Sequence, residues 1–257
     1  MKRGVRVYKI KIKKGEQVID SLEKWEKFGG PMKDEHWKDG RSAKELARYI
    51  LNGEGEFPGE VENILSQIGC SQEKVFIGEP EKNTSLEGSG GGRHHDLFFV
   101  QDNEIVIGIE GKSDETFGDL LLKELSKKDI TLNKLNRVIT LYKDIYGDEP
   151  LNILNMRYQL LTGVSGVLAE AQRRNIPKAL FLVITLKEKG SFEQKKVDSN
   201  KKDFDNFIES IQEFNKGYTE LGHYRVSNYQ DIDLYIGYIE IEINRGGSSM
   251  NNIMQDL

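Results

Sequence analysis

Two acids and a lysine near the ends of two apolar stretches are the residues of this chain best suited to chemistry. Residues 94–112 read HHDLFFVQDNEIVIGIEGK, which predicts two short apolar strands joined by a polar turn. The first strand opens with Asp96, and the second ends with Glu110, Gly111 and Lys112. Carboxylates at the rim of an apolar sheet are costly unless something binds them, as a divalent cation would. The neighbouring lysine indicates phosphate chemistry.

The donor atoms of this segment favour a hard divalent cation. Glu110 and Lys112 are two apart on a strand and therefore share a face. The carbonyl of Gly111 is a candidate third ligand beside Asp96 and Glu110, and such oxygen ligands suit Mg²⁺ or Mn²⁺ better than zinc. Lys112 would orient an attacking water or stabilise the transition state. The alternative is an exposed hairpin end with a surface salt bridge between Glu110 and Lys112.

The register of the hairpin decides whether the two acids meet. A two-residue loop at 102–103 would place Asp96 opposite Ile109 and facing away from Glu110, because a one-residue slip reverses every side chain. A three-residue loop ending at Glu104, or one bulge, puts Asp96 directly opposite Glu110. The functional interpretation therefore predicts the second register.

Composition indicates a soluble globular protein. The 257 residues are 37% hydrophobic and 31% charged. No apolar run approaches the roughly 20 residues that span a bilayer, and the N-terminus lacks the apolar core of a signal peptide. The single cysteine, Cys70, excludes an internal disulfide and a cysteine-rich zinc site. We expect a cytoplasmic protein with no membrane association.

The distribution of charge leaves nucleic acid open as a partner. The formal net charge is −5, yet residues 1–14 hold seven Lys and Arg residues and no acid. A second basic stretch, 187–202, holds six lysines. Either stretch could contact a phosphate backbone, or could be an ordinary solvated surface.

Hydrophobic periodicity predicts one α/β domain over residues 1–257. Strands are expected at 5–13, 74–78, 94–100, 104–112, 179–186 and 234–243, and helices at 18–28, 43–51, 59–68, 116–127, 132–146, 151–174 and 203–215. Residues 79–93 are expected to form a loop. Its glycines do not form a P-loop, because the GK[ST] ending is missing and a strand follows instead of a helix.

The chemical motif resembles the active-site signature of the PD-(D/E)xK nuclease superfamily. Asp96 matches the first acid, Glu110 the second acid and Lys112 the lysine of that signature. His95 stands where a proline often precedes the first acid. The strings WKDGRSAKELARYIL, EGKSDETFG and MRYQLLTGVSGVLAEA also resemble an uncharacterised branch of these nuclease-like proteins.

The resemblance implies a restriction-endonuclease-like core, a mixed central sheet flanked by helices. The helix at 59–68, three meander strands, the helices from 116 onward and the strand at 179–186 follow the family's order. The core would cover about 59–187. Residues 1–58 would add an N-terminal strand and helices, and residues 203–243 a C-terminal helix and strand.

The resemblance also implies the activity of a Mg²⁺- or Mn²⁺-dependent endonuclease. Such an enzyme hydrolyses phosphodiester bonds, and DNA is the expected substrate. Asp96, Glu110 and the Gly111 carbonyl would hold the metal, and Lys112 would position the water. RNA as substrate and roles in restriction, repair or phage defence stay open, and double-strand cutting would favour a homodimer. One alternative is a catalytically silent nuclease-like fold acting as a nucleic-acid-binding or assembly subunit. Another is an acid–lysine hydrolase with a non-nucleic substrate.

Three further residues are accessory candidates, each with an ordinary alternative. His94 could contact phosphate or be a surface imidazole. Glu60 could supply the additional acid that the family often takes from a helix, or be a common first-turn acid; Glu62 and Glu45 are the other choices. Gln159 could approach the metal from the long helix or be a solvated polar residue.

Asp114 and Glu115 directly follow the lysine of the motif. The expected helix at 116–127 would begin just after them. The two acids are therefore interpreted as helix-capping residues, with a second metal ligand as the alternative.

Overall fold

The computed structural model describes residues 7–31, 33–86, 91–113, 115–147, 154–188, 194–212, 222–224, 226, 229 and 231–243. Its strands are β1 (Ile10–Lys14), β2 (Gln17–Val18), β3 (Phe76–Thr84), β4 (Arg93–Gln101), β5 (Ile105–Lys112), β6 (Lys178–Glu188), β7 (Gly222–Tyr224) and β8 (Asp233–Ile243). Its α-helices are α1 (Leu22–Gly29), α2 (Ser42–Leu51), α3 (Gly59–Ile68), α4 (Leu121–Leu125), α5 (Leu132–Tyr146), α6 (Tyr158–Arg174) and α7 (Gln194–Gln212), with a 3₁₀ turn at Asp34–His36. The chain therefore has the predicted α/β class.

The described strands form one mixed sheet of eight, in the order β2-β1-β3-β4-β5-β6-β8-β7. Strands β3, β4 and β5 form an antiparallel meander, whereas β5, β6 and β8 run parallel. A sheet with parallel strands at its centre needs cover on both faces. Helices α1, α2 and α3 cover one face, and α5, α6 and α7 the other.

Strand β6 is buried on both of its faces, as its uniformly apolar sequence predicted. Leu180, Leu182 and Ile184 contribute to the apolar layer beneath α2 and α3. Phe181 and Val183, at the alternate positions, contribute to the layer beneath α6. The period of two in a strand produces this division.

The prediction that the loop begins at Glu79 was wrong, because β3 continues to Thr84. Strand β1 pairs with β3 only as far as Gly78, so the next part of β3 has a free outer edge. Pro80 is tolerated there because an edge residue needs no N–H donor. The ammonium of Lys14 binds the Pro80 carbonyl at 2.8 Å and satisfies an acceptor on this edge.

The predicted helix at 116–127 was also wrong in extent. Only Leu121–Leu125 is helical. Gly118 has a φ of +67°, a left-handed conformation that interrupts a right-handed helix. Residues 115–120, before α4, therefore lie outside any helix.

The β4–β5 hairpin has the loop length that the functional interpretation required. Strand pairing begins at Gln101 and Ile105, so residues 102–104 form a three-residue loop. Asn103 within the loop has a φ of +59°, which asparagine tolerates better than most residues. This part of the prediction is confirmed.

Helix α6 approaches the sheet closely because glycines face it. A Cβ at Gly166 would lie 2.5 Å from Nε2 of His95 and 2.9 Å from Oγ1 of Thr84. A Cβ at Gly108, on β5, would lie 2.6 Å from Val167 on the helix. The ring of His95 fills the space that Gly166 leaves.

We predict that Gly166→Ala destabilises the protein although alanine favours helix. The added methyl group would overlap His95 and Thr84, and overpacking of this kind costs about 1–3 kcal/mol. Chemical denaturation measures the loss. Gly59→Ala is the matched control, because nothing lies within 4 Å of a Cβ there. A Gly166→Ala protein as stable as the Gly59→Ala protein would contradict the packing argument.

Candidate functional site

The candidate site lies at the carboxyl end of β5, where the strand leaves the sheet core. Glu110 and Lys112 are each 2% exposed. Between them, Gly111 allows α2 to approach, since a Cβ at this position would lie 3.2 Å from Leu46. The two charged side chains are thus enclosed by the sheet and its covering elements.

Glu110 is bound by two cations. Lys112 Nζ lies 2.8 Å from one carboxylate oxygen, Oε1. The guanidinium of Arg93, at the start of β4, donates to the other oxygen, Oε2. The Glu110–Lys112 pair is therefore a buried ion pair, and the alternative of a surface salt bridge is wrong.

Asp96 lies beside this pair. The regular β4–β5 pairing ends with Leu97 opposite Ile109, so Asp96 and Glu110 are the next residues on the two strands. Oδ2 of Asp96 accepts a hydrogen bond of 2.7 Å from the backbone N–H of Gly111. The N–H and C=O of one strand residue point to the same edge of the strand, so the Gly111 carbonyl faces the same side as Asp96.

Strand β4 reverses the side to which its residues point at Asp96. His95 and Phe98 are three apart, yet their rings contact each other with centroids 5.3 Å apart. Regular alternation would place them on opposite faces. On the neighbouring strand β3, Glu81 has a φ of +47°, a conformation that non-glycine residues adopt rarely. The two strands are thus distorted side by side.

This distortion explains which basic residue reaches Glu110. Regular alternation from Asp96 offered His94, which is exposed. The reversal instead turns Arg93 toward Glu110. Sequence reasoning missed Arg93 because it assumed an undistorted strand. The available signal was a basic residue three positions before the first acid, directly after a run of glycines.

Glu115 closes the outer side of the site. Its carboxylate lies 3.5 Å from Lys112 Nζ and accepts a 2.7 Å hydrogen bond from the Ser42 hydroxyl. The side chain of Asn200, on α7, donates to the Glu115 carbonyl at 2.9 Å. The capping interpretation was wrong for Glu115, because the next helix begins only at Leu121. Asp114 lies outside the described residues.

The site has more carboxylates than cationic side chains. Glu81, Asp96, Glu110 and Glu115 supply four carboxylates, while Arg93 and Lys112 supply two cations. Lys14 also acts on Glu81, but its ammonium is already paired with Glu79 at 3.1 Å. With every group ionised, the cluster carries two uncompensated negative charges. Such an excess is unfavourable in a partly buried position.

The pKa values follow from this crowding. Burial and then the charge of Glu110 raise the pKa of Asp96 well above its usual range. Burial and Glu110 likewise raise the pKa of Glu81. Burial alone would raise the pKa of Glu110, but Arg93 and Lys112 outweigh it and lower that pKa. Asp96 and Glu81 are thus the carboxyls of the cluster that take up a proton most readily.

The predicted metal ligands fit a cation in charge and donor type. Asp96, Glu110 and the Gly111 carbonyl supply hard oxygen donors, and a divalent cation would cancel the twofold excess. In the part of the chain that the structure describes, no group of three or more His, Cys, Asp or Glu side chains is arranged to hold a metal. The candidate set therefore depends on a backbone carbonyl as its third ligand.

The accessory candidates differ in their surroundings. Glu60 is exposed and accepts a hydrogen bond of 2.9 Å from Tyr49, with no described contact to the acid cluster. Glu45 is buried and accepts from the Gly40 N–H at 2.6 Å and from Arg48 at 3.0 Å. These interactions bind Glu45 within α2 and the preceding turn.

Gln159 lies against Gly118, in the connection that leaves the site. A Cβ at Gly118 would lie 3.5 Å from the Gln159 side chain. Oε1 of Gln159 is buried and has no hydrogen-bond partner among the described residues. Gln159 as a whole is half-buried, and its role in any chemistry stays a prediction.

His95 is fully buried beneath α6. Its exposed fraction is 0%, and neither ring nitrogen has a hydrogen-bond partner within the described chain. Burial, and then the charge of Arg93, lower the pKa of His95 well below its usual range. His95 is therefore a neutral packing residue at neutral pH.

Comparison with known proteins gives a family. Residues 18–243 match the family model described as Domain of unknown function (DUF6946). The chain belongs to this family. No curated protein and no solved structure matches it. The matched range includes every residue of the acid cluster and its partners from Ser42 to Asn200.

The two basic stretches lie only partly within the described residues. The basic stretch at 1–14 is described only from residue 7, and that at 187–202 lacks residues 189–193.

Among the described residues, none of the helices has the length and apolar character needed to cross a membrane.

We predict that His95 makes the protein less stable as the pH falls. Below about pH 6.5 the unfolded chain protonates this histidine, whereas the folded protein keeps it neutral, so acid favours unfolding. From about pH 7 to about pH 5.5, His95 should remove about 1 kcal/mol of unfolding free energy. Urea denaturation at both pH values measures this, and His95→Leu should lose less stability over the interval. His94→Leu, at an exposed position, should behave like the wild type; identical losses in all three proteins would contradict the argument.

Proposed function

We propose that this protein is a metal-dependent phosphodiesterase that cleaves DNA, built on a restriction-endonuclease-like core. The observation that carries the proposal is the excess of two carboxylates around the Asp96–Gly111 hydrogen bond, with an ammonium beside them. A purely structural ion-pair cluster gains most when its charges balance, and this one does not. The sequence α3, β3-β4-β5, α6 and β6 also follows the order of elements implied by the nuclease resemblance.

Asp96, Glu110 and the Gly111 carbonyl are the proposed ligands of Mg²⁺ or Mn²⁺. When bound, the cation would lower the pKa of a water and neutralise charge on a phosphoryl oxygen. Asp96 is suited to this role because only its Oδ2 is bound within the part of the chain that the structure describes, by the Gly111 N–H. Glu110 offers its carboxylate once one of its two cationic partners moves away.

Lys112 acts as a hydrogen-bond donor and not as a base. Burial opposes its charge, but Glu110, Asp96 and Glu115 raise its pKa above the usual value, so it stays protonated at neutral pH. A protonated ammonium can orient a water through the oxygen or stabilise a negatively charged transition state. It cannot accept the proton that the water loses.

A silent, binding-only fold is the second candidate, favoured by one observation. Arg93 already neutralises one oxygen of Glu110, so the glutamate has two cationic partners without a metal. In that case the protein would bind nucleic acid or assemble with a partner but hold no metal. A cytoplasmic location, a homodimer and a role in phage defence, restriction or repair remain predictions.

We predict that Mg²⁺ or Mn²⁺ stabilises the wild type and not Asp96→Asn. Saturating cation at about 100 times its Kd would add about 2.7 kcal/mol. Without metal, Asp96→Asn should be at least as stable as the wild type, because ionised Asp96 is unfavourable while asparagine still accepts the Gly111 N–H. Thermal unfolding with and without cation measures both effects.

The control for this experiment is Asp20→Asn. Asp20 is an exposed carboxylate paired with Lys24 at 2.8 Å, and its removal should leave the cation effect intact. A wild type that gains no stability from either cation would support the silent alternative.

We predict Mg²⁺-dependent cleavage of plasmid DNA by the wild type and its loss in two variants. Asp96→Asn removes a metal ligand, and Lys112→Met removes the ammonium, so each should cut at least about 100-fold more slowly. Circular dichroism checks that both variants fold, since Lys112 is buried. Lys24→Met, at an exposed lysine, is the control and should cut like the wild type. Equal cleavage by all four proteins would refute the assigned site.

A further inference from the structure

A second phosphate-binding group stands next to the predicted metal ligands. Arg93 begins β4, directly after three glycines, and its side chain is 12% exposed. A Cβ at Gly92 would lie 1.7 Å from the Asn83 side chain and 2.5 Å from the Thr84 carbonyl oxygen. Only glycine lets the chain run this close to β3, and that path directs Arg93 into the acid cluster.

The guanidinium of Arg93 is incompletely used. An arginine carries five N–H donors. In the described chain, Nη2 of Arg93 donates to Glu110, while Nε is buried and has no hydrogen-bond partner. A buried donor without an acceptor is unfavourable, so this guanidinium has capacity for another acceptor.

Metal binding and the Arg93–Glu110 pair oppose each other. A divalent cation on Glu110 would repel the guanidinium that shares the same carboxylate. Lys112, at 2.8 Å from the other oxygen, has a side chain that is only 3% exposed, against 12% for Arg93. Arg93, the more exposed of the two cations, is thus the partner that would be released, and the next residue on β4, His94, is exposed.

We propose that Arg93 binds a backbone phosphate of the DNA substrate, which would take its guanidinium away from Glu110 and leave that carboxylate oxygen available to a cation. This inference rests on the proposed function and extends it to how the substrate is held. A guanidinium binds phosphate oxygens through two parallel hydrogen bonds, which would also satisfy Nε. In the free protein, Glu110 holds Arg93 inside the site, where the guanidinium compensates part of the acid charge.

The test separates DNA binding from metal binding. Ca²⁺ serves as the probe cation, Ca²⁺ affinity is measured by calorimetry without DNA, and the affinity for a short DNA duplex in Ca²⁺ is measured by fluorescence anisotropy. Arg93→Gln should weaken DNA binding about 10- to 100-fold. The same variant should bind Ca²⁺ at least as tightly as the wild type, because a competing cation has been removed.

Two further variants make the result specific. Arg93→Lys keeps a positive charge near Glu110 but loses the paired hydrogen bonds, so its DNA affinity should lie between those of Arg93→Gln and the wild type. Because Arg93→Lys keeps an ion pair with Glu110, it can be measured even if Arg93→Gln does not fold. Arg174→Gln is the matched control: Arg174 pairs with Glu170 at 2.7 Å at the far end of α6, and its removal should leave both affinities unchanged.

Each remaining outcome overturns a defined statement. DNA affinity within twofold of the wild type in Arg93→Gln and Arg93→Lys overturns the role of Arg93 alone. A parallel loss of Ca²⁺ and DNA affinity in Arg93→Gln also overturns the phosphate-binding role of Arg93. That result would show that Arg93 positions Glu110 as a metal ligand. A wild type that binds Ca²⁺ but no DNA, or neither, overturns the proposed function and the role of Arg93 together.

Discussion

The buried carboxylate of Glu110 constrains the structure around it more than any other group. A carboxylate at 2% exposure needs partners, and it takes one from each of two strands, Arg93 from β4 and Lys112 from β5. Removing one partner of a buried ion pair leaves an uncompensated charge, which costs several kcal/mol. The start of β4 and the end of β5 are therefore held together by charge where the regular strand pairing ends. The side-by-side distortion at Glu81 and Asp96 allows this contact.

The covering helices depend on the same strand ends. Helix α2 packs Leu46 over Gly111, and α6 packs Gly166 over His95. These contacts lie one residue away from Glu110 and Asp96 respectively. Apolar packing on both faces thus fixes the backbone on which the charged residues stand, while the charges occupy the remaining space at the sheet end. Electrostatics and packing are coupled here because one strand segment serves both.

Much of the fold could be predicted from the sequence because its signals are local. The two-sided apolar pattern of β6 and the three-residue β4–β5 loop depend on neighbouring residues only. Strand β3 beyond Gly78 could not be predicted from its own charged and proline-containing sequence. It is stabilised by Lys14, which lies more than 60 residues earlier in the chain. Arg93 was missed for a related reason. Its contact with Glu110 requires a strand distortion shared between β3 and β4, and no local pattern encodes the partner of such a distortion.

The acid cluster contains several groups that are unfavourable for folding. A site that served stability alone would gain from neutral or balanced residues, since apolar replacements of buried ions are often as stable or more so. This chain instead has two carboxyls with raised pKa values, an unpaired guanidinium nitrogen and a left-handed glutamate within neighbouring strand positions. Each feature costs free energy in the isolated protein. Under the proposed function, a bound cation would relieve the first cost and a bound phosphate the second.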